Sequence, residues 1–170
     1  MLISESKLRA IVRQTIIQES SDSPLYTGFV FDDAGSQILR KRAEQFLRQS
    51  DAANWLISKR GVHGVEQLNH HVTISIKRLK PTDPLQEKLG ESHSIKFVSW
   101  GIDREIGISA WGVELPAGFE AISGVPHSTC ALEDSSVKPF LAKEIKNWTP
   151  IETPFSLKGI FQEVRQLEKL

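Results

Sequence analysis

The segment HVTISIK, from His71 to Lys77, alternates polar and apolar residues with a period of two. In an extended chain that period places the apolar residues on one face and the polar residues on the other. The apolar face consists of Val72, Ile74 and Ile76, and the polar face begins with His71 and Thr73. The segment therefore predicts a half-buried strand with a polar surface.

Two elements are predicted upstream of this strand. The β-rich stretch Tyr26–Phe31 precedes Asp32 and Asp33, two carboxylates suited to capping a helix. The helix that follows has a largely basic surface and an apolar stripe of Ile38, Leu39, Ala43, Phe46 and Leu47. The stretch from 54 to 69 stays open, with a possible short strand at 55–57 and a loop at 61–64.

Further strands are predicted downstream. The runs His93–Trp100 and Ile106–Leu115 suggest a hairpin, because a charged turn separates them. A short strand is predicted at His127–Glu133, and a closing strand at Phe155–Val164. Between these two, residues from 135 onward predict a helix that contains Phe140, Leu141, Ile145 and Trp148. The order β, α, β, β, β, β, α, β is typical of an α+β fold with a largely antiparallel sheet.

The N-terminal region reads as a separate element. Apolar residues recur at helical spacing from Ser6 to Glu19, and the small polar stretch Ser20–Pro24 follows as a linker. We therefore expect an amphipathic helix and linker at 1–24 and one domain at 25–170. The helix either packs on that domain or docks on a protein partner or a second copy of the chain.

Composition narrows the possible functions. The 170 residues carry 21 Lys and Arg against 21 Asp and Glu, so no global positive field exists to hold a long duplex nucleic acid. The single cysteine, Cys130, excludes an internal disulfide and fits a reducing compartment. No apolar run is long enough for a membrane span or an export signal. We therefore expect a cytoplasmic protein.

Two of the five histidines precede a threonine by two positions on a predicted strand, in His71-Val72-Thr73 and His127-Ser128-Thr129. Residues so spaced lie about 7 Å apart on one face of a strand. Each pair can present a proton donor or acceptor and a hydroxyl to one anion. The spacing alone is equally compatible with a catalytic pair and with polar histidines on an exposed sheet face.

At these residues the sequence resembles the two-histidine (2H) phosphoesterase superfamily. Its members carry two His-x-Thr/Ser motifs on central strands of a two-lobed α+β fold with a central cleft. Tyr26–Asp32 is similar to the first strand of the family, and His70–Ile74 to the double-histidine form of phage and RNA-repair-like members. Pro126–Thr129 resembles the second motif. Similarity to that branch continues through Lys138-Pro139, Ile145, Asn147-Trp148, Pro150-Ile151 and Leu157-Lys158-Gly159.

The sequence departs from the family pattern in two places. Ser128 stands where these proteins usually have an aliphatic residue, and the segment Ser58–Asn69 looks inserted before the first motif. Of the two adjacent histidines, His71 is the motif residue, because Thr73 follows it by two positions. His70 points to the opposite face, and we expect it to be structural.

The resemblance implies a phosphodiesterase that works without a metal or other cofactor. Its substrates would be RNA ends with a 2′,3′-cyclic phosphate, or small cyclic or 2′-5′-linked oligonucleotides, in the host cytoplasm if a phage encodes the protein. Of His71 and His127, one imidazole would accept a proton while the other donates one to the leaving oxygen. Thr73 and Thr129 would bind the nonbridging phosphate oxygens.

Two more residues are candidate substrate-binding residues. Tyr26 is either a base-stacking residue or a partly buried aromatic at a sheet edge. Lys138 either assists a phosphate or is an exposed lysine at a helix start. We expect Trp100, Trp111 and Trp148 to be packing residues, with Trp148 anchoring the second helix.

Two other classes of function stay open. One is a nucleotide-binding or RNA-binding module without turnover. The other is a structural or virion-associated protein that docks through the N-terminal helix. The balanced charge favours small substrates over long nucleic acids.

Overall fold

The structure is a computed structural model that describes residues 24–57, 59–61, 64–66, 68–121 and 124–165. The elements in chain order are β1 (Pro24–Phe31), α1 (Asp33–Gln49), β2 (Lys59–Gly61), β3 (Gly64–Glu66), β4 (His71–Ser75), a 3-10 helix (Pro84–Lys88), β5 (Ser92–Asp103), β6 (Ile108–Glu114), β7 (His127–Leu132), a second 3-10 helix (Pro139–Glu144) and β8 (Trp148–Arg165). The helix expected at 6–19 lies outside the described residues. Within them, no helix is both long and apolar enough to cross a membrane.

Six strands form one sheet in the order β4-β1-β8-β5-β6-β7, and every neighbouring pair is antiparallel. The expected α+β class with a largely antiparallel sheet is therefore confirmed. The sheet is nearly closed, because its two edge strands return to each other. Just before β4, the Asn69 backbone N–H donates to the Thr129 carbonyl on β7 at 2.9 Å.

The larger of two buried apolar clusters lies on the sheet face that carries the apolar residues of β4. Val72 and Ile74 are buried there with aromatic residues of other strands, including the ring pairs Phe29–Phe161 and Phe97–Phe155. Helix α1 adds the buried residues Leu39, Ala43 and Leu47 to this cluster. The helix begins as expected, because the Asp32 carboxylate accepts a hydrogen bond from the Gly35 N–H at 2.7 Å.

Two predicted core residues lie outside the core. Ile38 is 42% exposed, so the apolar stripe of α1 is narrower than predicted. Ile76 is 69% exposed, because β4 ends at Ser75 and not at Lys77. The Ser75 hydroxyl accepts a hydrogen bond from the Lys77 N–H at 3.1 Å, and such a local turn competes with the strand ladder.

The prediction of a second α-helix from residue 135 onward is wrong. Only the 3-10 helix Pro139–Glu144 forms, and Trp148 is the first residue of β8 instead of a helix anchor. Pro150 and Pro154 favour the strand over a longer helix from Trp148 onward, because proline lacks the N–H that a helix interior needs and favours extended backbone before it. Strand β8 accommodates both prolines at a shift in its register with β5. Phe97 pairs with Phe155, but Ser99, only two residues further along β5, pairs with Pro150.

The stretch left open by the sequence contains a small hairpin of β2 and β3. The possible strand at 55–57 is reduced to a single bridge between Leu56 and Leu132. In its described residues, the apparent insertion before the first motif therefore contains a two-stranded antiparallel hairpin.

Candidate active site

The pairing of the strands puts both His-x-Thr motifs on one face of the sheet. Paired residues of neighbouring strands share a face, and so do residues two apart on a strand. From His71, successive pairs lead through Val30 and Ile160 to Ser92 on β5. Lys96, four residues further along β5, lies on the same face and pairs with Glu114 of β6. Gly112, two residues before Glu114, pairs with His127. The residues between the motif positions, Val72 and Ser128, are buried on the opposite face.

The same motifs also lie on adjacent edges of the nearly closed sheet. Asn69, two residues before His71, donates its backbone N–H to the Thr129 carbonyl and its side-chain amide to the Cys130 carbonyl. Thr129 and Cys130 are the second and third residues after His127. The fold therefore brings the two motifs together, although 56 positions separate their histidines in the sequence.

His71 is enclosed by other rings. The Tyr26 ring stacks on it, with centroids 4.2 Å apart and planes inclined by 22°, and the His70 ring meets it edge-on at 6.1 Å. Burial lowers the pKa of His71 to about 3, and the positive charges of His70 and His127 contribute to that lowering. His71 is therefore neutral near pH 7, and it lies within electrostatic range of His127.

His127 is fixed by its backbone neighbour. Its Nδ1 atom lies 2.9 Å from the Val125 carbonyl oxygen. A carbonyl can only accept, so Nδ1 carries the proton and the lone pair of the neutral ring is on Nε2. Burial lowers the pKa of His127, and the bond to Val125 partly opposes that change. The Trp148 ring lies beside the imidazole, 6.5 Å away and tilted by 34°.

The two motif threonines have different surroundings. Thr73 is half-buried and pairs with Gly28 of β1, where a Cβ atom would collide with the Val72 carbonyl. Glycine at position 28 thus lets β1 approach the motif strand closely. Thr129 donates its hydroxyl to the Pro139 carbonyl at 3.3 Å. To donate to a phosphate, Thr129 has to exchange that carbonyl for a phosphate oxygen.

Tyr26 lies at the predicted site, and one face of its ring is covered by His71. Burial raises the pKa of its phenol, so the hydroxyl stays protonated. Lys138 is exposed and directly precedes Pro139, the residue whose carbonyl accepts from Thr129. His70 lies near the start of α1. Burial lowers the pKa of His70, the negative charge of Asp33 partly opposes this lowering, and the positive charge of Arg40 adds to it.

Two surface depressions of the described chain lie elsewhere. One of about 420 Å³ is on the outer side of α1, between Lys41 and Gln49. The other, of about 310 Å³, lies between the end of α1 and the start of β8 and is lined in part by Phe46 and Trp100. Among the described residues, no three His, Cys, Asp or Glu side chains come together in a group that could hold a metal ion.

Three residues near the motifs were not identified from the sequence as parts of the site. Asn69 joins the edge strands, Trp148 lies beside His127, and the Val125 carbonyl sets the His127 tautomer. Only Asn69 carries a local signal, because asparagine tolerates the left-handed backbone found there, with a φ of 59°. The other two contacts depend on the tertiary fold.

Comparison of the chain with models of known protein families gives no match, and comparison with curated protein sequences gives none either.

Proposed function

We propose that this chain is a metal-independent phosphodiesterase of the 2H phosphoesterase type. The observation that carries the proposal is the shared sheet face of His71-Val72-Thr73 and His127-Ser128-Thr129, on edge strands joined by Asn69. Two imidazoles and two hydroxyls at one place are the groups needed to bind a phosphodiester and to move protons on both sides of its phosphorus.

In the proposed hydrolysis, the neutral His71 ring removes a proton from a water molecule as that water attacks phosphorus. The bond from phosphorus to the leaving ribose oxygen breaks, and the protonated His127 ring gives that oxygen a proton. His127 is the better acid of the two, because its Nδ1–H bond to the Val125 carbonyl favours the imidazolium. His71 is more deeply enclosed and is the better candidate for the neutral base.

The negative charge of the substrate has a second role in this mechanism. Both histidines are neutral near pH 7 in the free protein, because burial lowers both pKa values. A bound phosphate raises the pKa of each neighbouring imidazole by Coulomb attraction. Substrate binding therefore supplies the protonated acid that the reaction needs.

The proposed substrates are RNA ends with a 2′,3′-cyclic phosphate and small cyclic or 2′-5′-linked oligonucleotides. The net charge of zero supports small substrates, since a long nucleic acid is held mainly through many cationic contacts. Tyr26 would contact a base through its uncovered ring face, and Lys138 would assist the phosphate. We propose that the sheet belongs to a two-lobed fold with its cleft at the histidine pair, in a cytoplasmic protein.

The test is cleavage in the presence of EDTA. Purified protein is incubated with RNA bearing a 2′,3′-cyclic phosphate and with a panel of cyclic di- and trinucleotides. We expect turnover that falls by at least about 10²-fold in both His71→Ala and His127→Ala, the lower end of what general acid–base catalysis contributes. His93→Gln is the matched control, because His93 lies on the opposite face of the sheet, against Phe29 and Phe119, and its Nε2 is 2.9 Å from a Glu91 carboxylate oxygen. Turnover that requires a divalent metal would contradict the proposal.

A non-catalytic nucleotide-binding module is the second candidate. The bond from Thr129 to the Pro139 carbonyl favours it, because that bond uses the hydroxyl that the proposed catalysis needs for a phosphate oxygen. In that case nucleotides bind, no product forms, and His71→Ala leaves binding largely intact. The docking helix proposed at 6–19 lies outside the described residues. Deletion of 1–23 tests it: an enzyme should retain turnover, whereas a docking protein should lose its partner.

A further inference from the structure

We propose that Asn69 is a positioning residue that holds the strand of His71 against the strand of His127. The inference rests on the proposed function for its effect on turnover. Its structural part, the distance between the two imidazoles, is testable without any substrate.

Asn69 is a buried polar residue whose hydrogen-bonding groups are used at the junction. It is 0% exposed. Its backbone N–H donates to the Thr129 carbonyl at 2.9 Å, and its Nδ2 donates to the Cys130 carbonyl at 2.8 Å. Its Oδ1 accepts from Trp111 Nε1 at 3.3 Å. Removal of a buried amide whose donor and acceptor are both engaged leaves several buried groups without a partner. It therefore costs more free energy of folding than the loss of a single hydrogen bond.

These bonds replace a strand ladder at this point of the sheet. Strands β4 and β7 are the two edges and are not paired with each other by a ladder. In the described part of the chain, the hydrogen bonds that join the start of β4 to β7 come from Asn69. At this junction, one side chain and one peptide N–H therefore supply the direct hydrogen bonds between the two edges.

The backbone at Asn69 also has to be left-handed, with a φ of 59°. Asparagine accepts this conformation more readily than most residues, and glycine accepts it freely. Replacement by glycine therefore keeps the backbone conformation and removes only the amide. The exposed Asp51, with a φ of 57°, provides the matched control for the backbone effect.

The physical consequence concerns alignment. Acid and base must reach the same phosphate, and a displacement of about 1 Å can cost roughly 10² in rate. Each motif by itself still binds the anion. Loss of the Asn69 amide should therefore lower kcat much more than it raises KM.

The experiment compares Asn69→Gly and Asp51→Gly in the full chain. We measure kcat and KM with EDTA on RNA bearing a 2′,3′-cyclic phosphate, and the ring-proton NMR titrations of His71 and His127. Asn69→Gly should lower kcat by about 10²-fold with KM within a few-fold. It should also raise the pKa of His71, because the charge of His127, one of the causes that lower this pKa besides burial and His70, moves away. Asp51→Gly should change neither quantity.

Unchanged kcat and an unchanged His71 titration in folded Asn69→Gly would overturn the inference. If the wild-type protein cleaves neither this RNA nor the panel of cyclic di- and trinucleotides, the proposed function fails, and the titrations alone decide the positioning role. If Asn69→Gly does not fold, Trp111→Phe takes its place, because it keeps an aromatic ring at that position and removes the donor to Asn69 Oδ1. The same titration shift, at smaller size, supports the inference, and its absence overturns it.

Discussion

The Tyr26 ring covers one face of the His71 imidazole, with the ring centroids 4.2 Å apart. The two residues belong to neighbouring strands, β1 and β4, and the glycine at position 28 lets these strands come close together. The contact shields the imidazole from water. It thereby contributes to the burial that lowers the pKa of His71 to about 3.

Replacement of Tyr26 should therefore change the pH dependence of the reaction. Tyr26→Ala admits water to His71 and raises its pKa, so the acid limb of the kcat/KM profile moves to higher pH. Tyr26→Phe keeps the stacked ring and should keep the wild-type limb. The measurement is kcat/KM against pH for all three proteins, and identical acid limbs in wild type and Tyr26→Ala would show that the stack does not set the pKa of His71.

The wild-type profiles themselves are a second prediction. The reaction needs one neutral and one protonated imidazole, so kcat/KM is bell-shaped and peaks between the two pKa values of the free protein. Burial lowers the pKa values of both histidines below the ordinary histidine pKa of 6.5. The kcat/KM maximum therefore lies below pH 6.5. The kcat maximum should lie at higher pH, because bound phosphate raises both pKa values.

The comparison of the two profiles is decisive on this point. A kcat/KM maximum above pH 6.5 would contradict the assignment of both buried histidines as acid and base. A kcat maximum at or below the kcat/KM maximum would contradict the proposed role of substrate charge.

Replacement of Ser128 should change the stability of the protein and not its turnover. This residue is 1% exposed, and its hydroxyl has no hydrogen-bond partner among the described residues. A buried hydroxyl without a partner costs about 1–3 kcal/mol of desolvation. Ser128→Ala removes that hydroxyl with little change in volume and should raise the free energy of unfolding by about 1 kcal/mol, measured by urea denaturation.

Ser109 is the matched control for this substitution. It is also fully buried, but its hydroxyl lies 2.9 Å from the Cys130 sulfur, to which it is hydrogen-bonded. Ser109→Ala should therefore lower the free energy of unfolding by about 1 kcal/mol. If both substitutions destabilise the protein equally, the Ser128 hydroxyl has a partner in solution and our reading of that residue is wrong.

Much of the sheet could be predicted from the sequence, because half-buried strands carry a two-residue period. The alternation from His71 to Ser75 and the two runs that form β5 and β6 are clear examples. The Asp32 cap likewise follows from local chemistry. The second helix was predicted wrongly because its apolar spacing also fits a short 3-10 helix followed by a proline-containing strand.

The site could be predicted only as two separate motifs. Strand periodicity places His71 with Thr73, and His127 with Thr129, but it carries no information on how distant strands are ordered. The junction at Asn69 and the ring contacts of Tyr26 and Trp148 arise from sheet closure. Long-range pairing of this kind leaves no local pattern that a single sequence displays.

The most direct test of the central claim compares His71→Ala, His127→Ala and the double variant on the substrate that the wild type cleaves fastest, with EDTA present. Residues that act as one acid–base unit have strongly non-additive effects on turnover. We predict that each single variant falls nearly to the rate of the double variant. A double variant whose loss equals the product of the two single losses, or a single variant with full turnover, would contradict the paired-histidine mechanism.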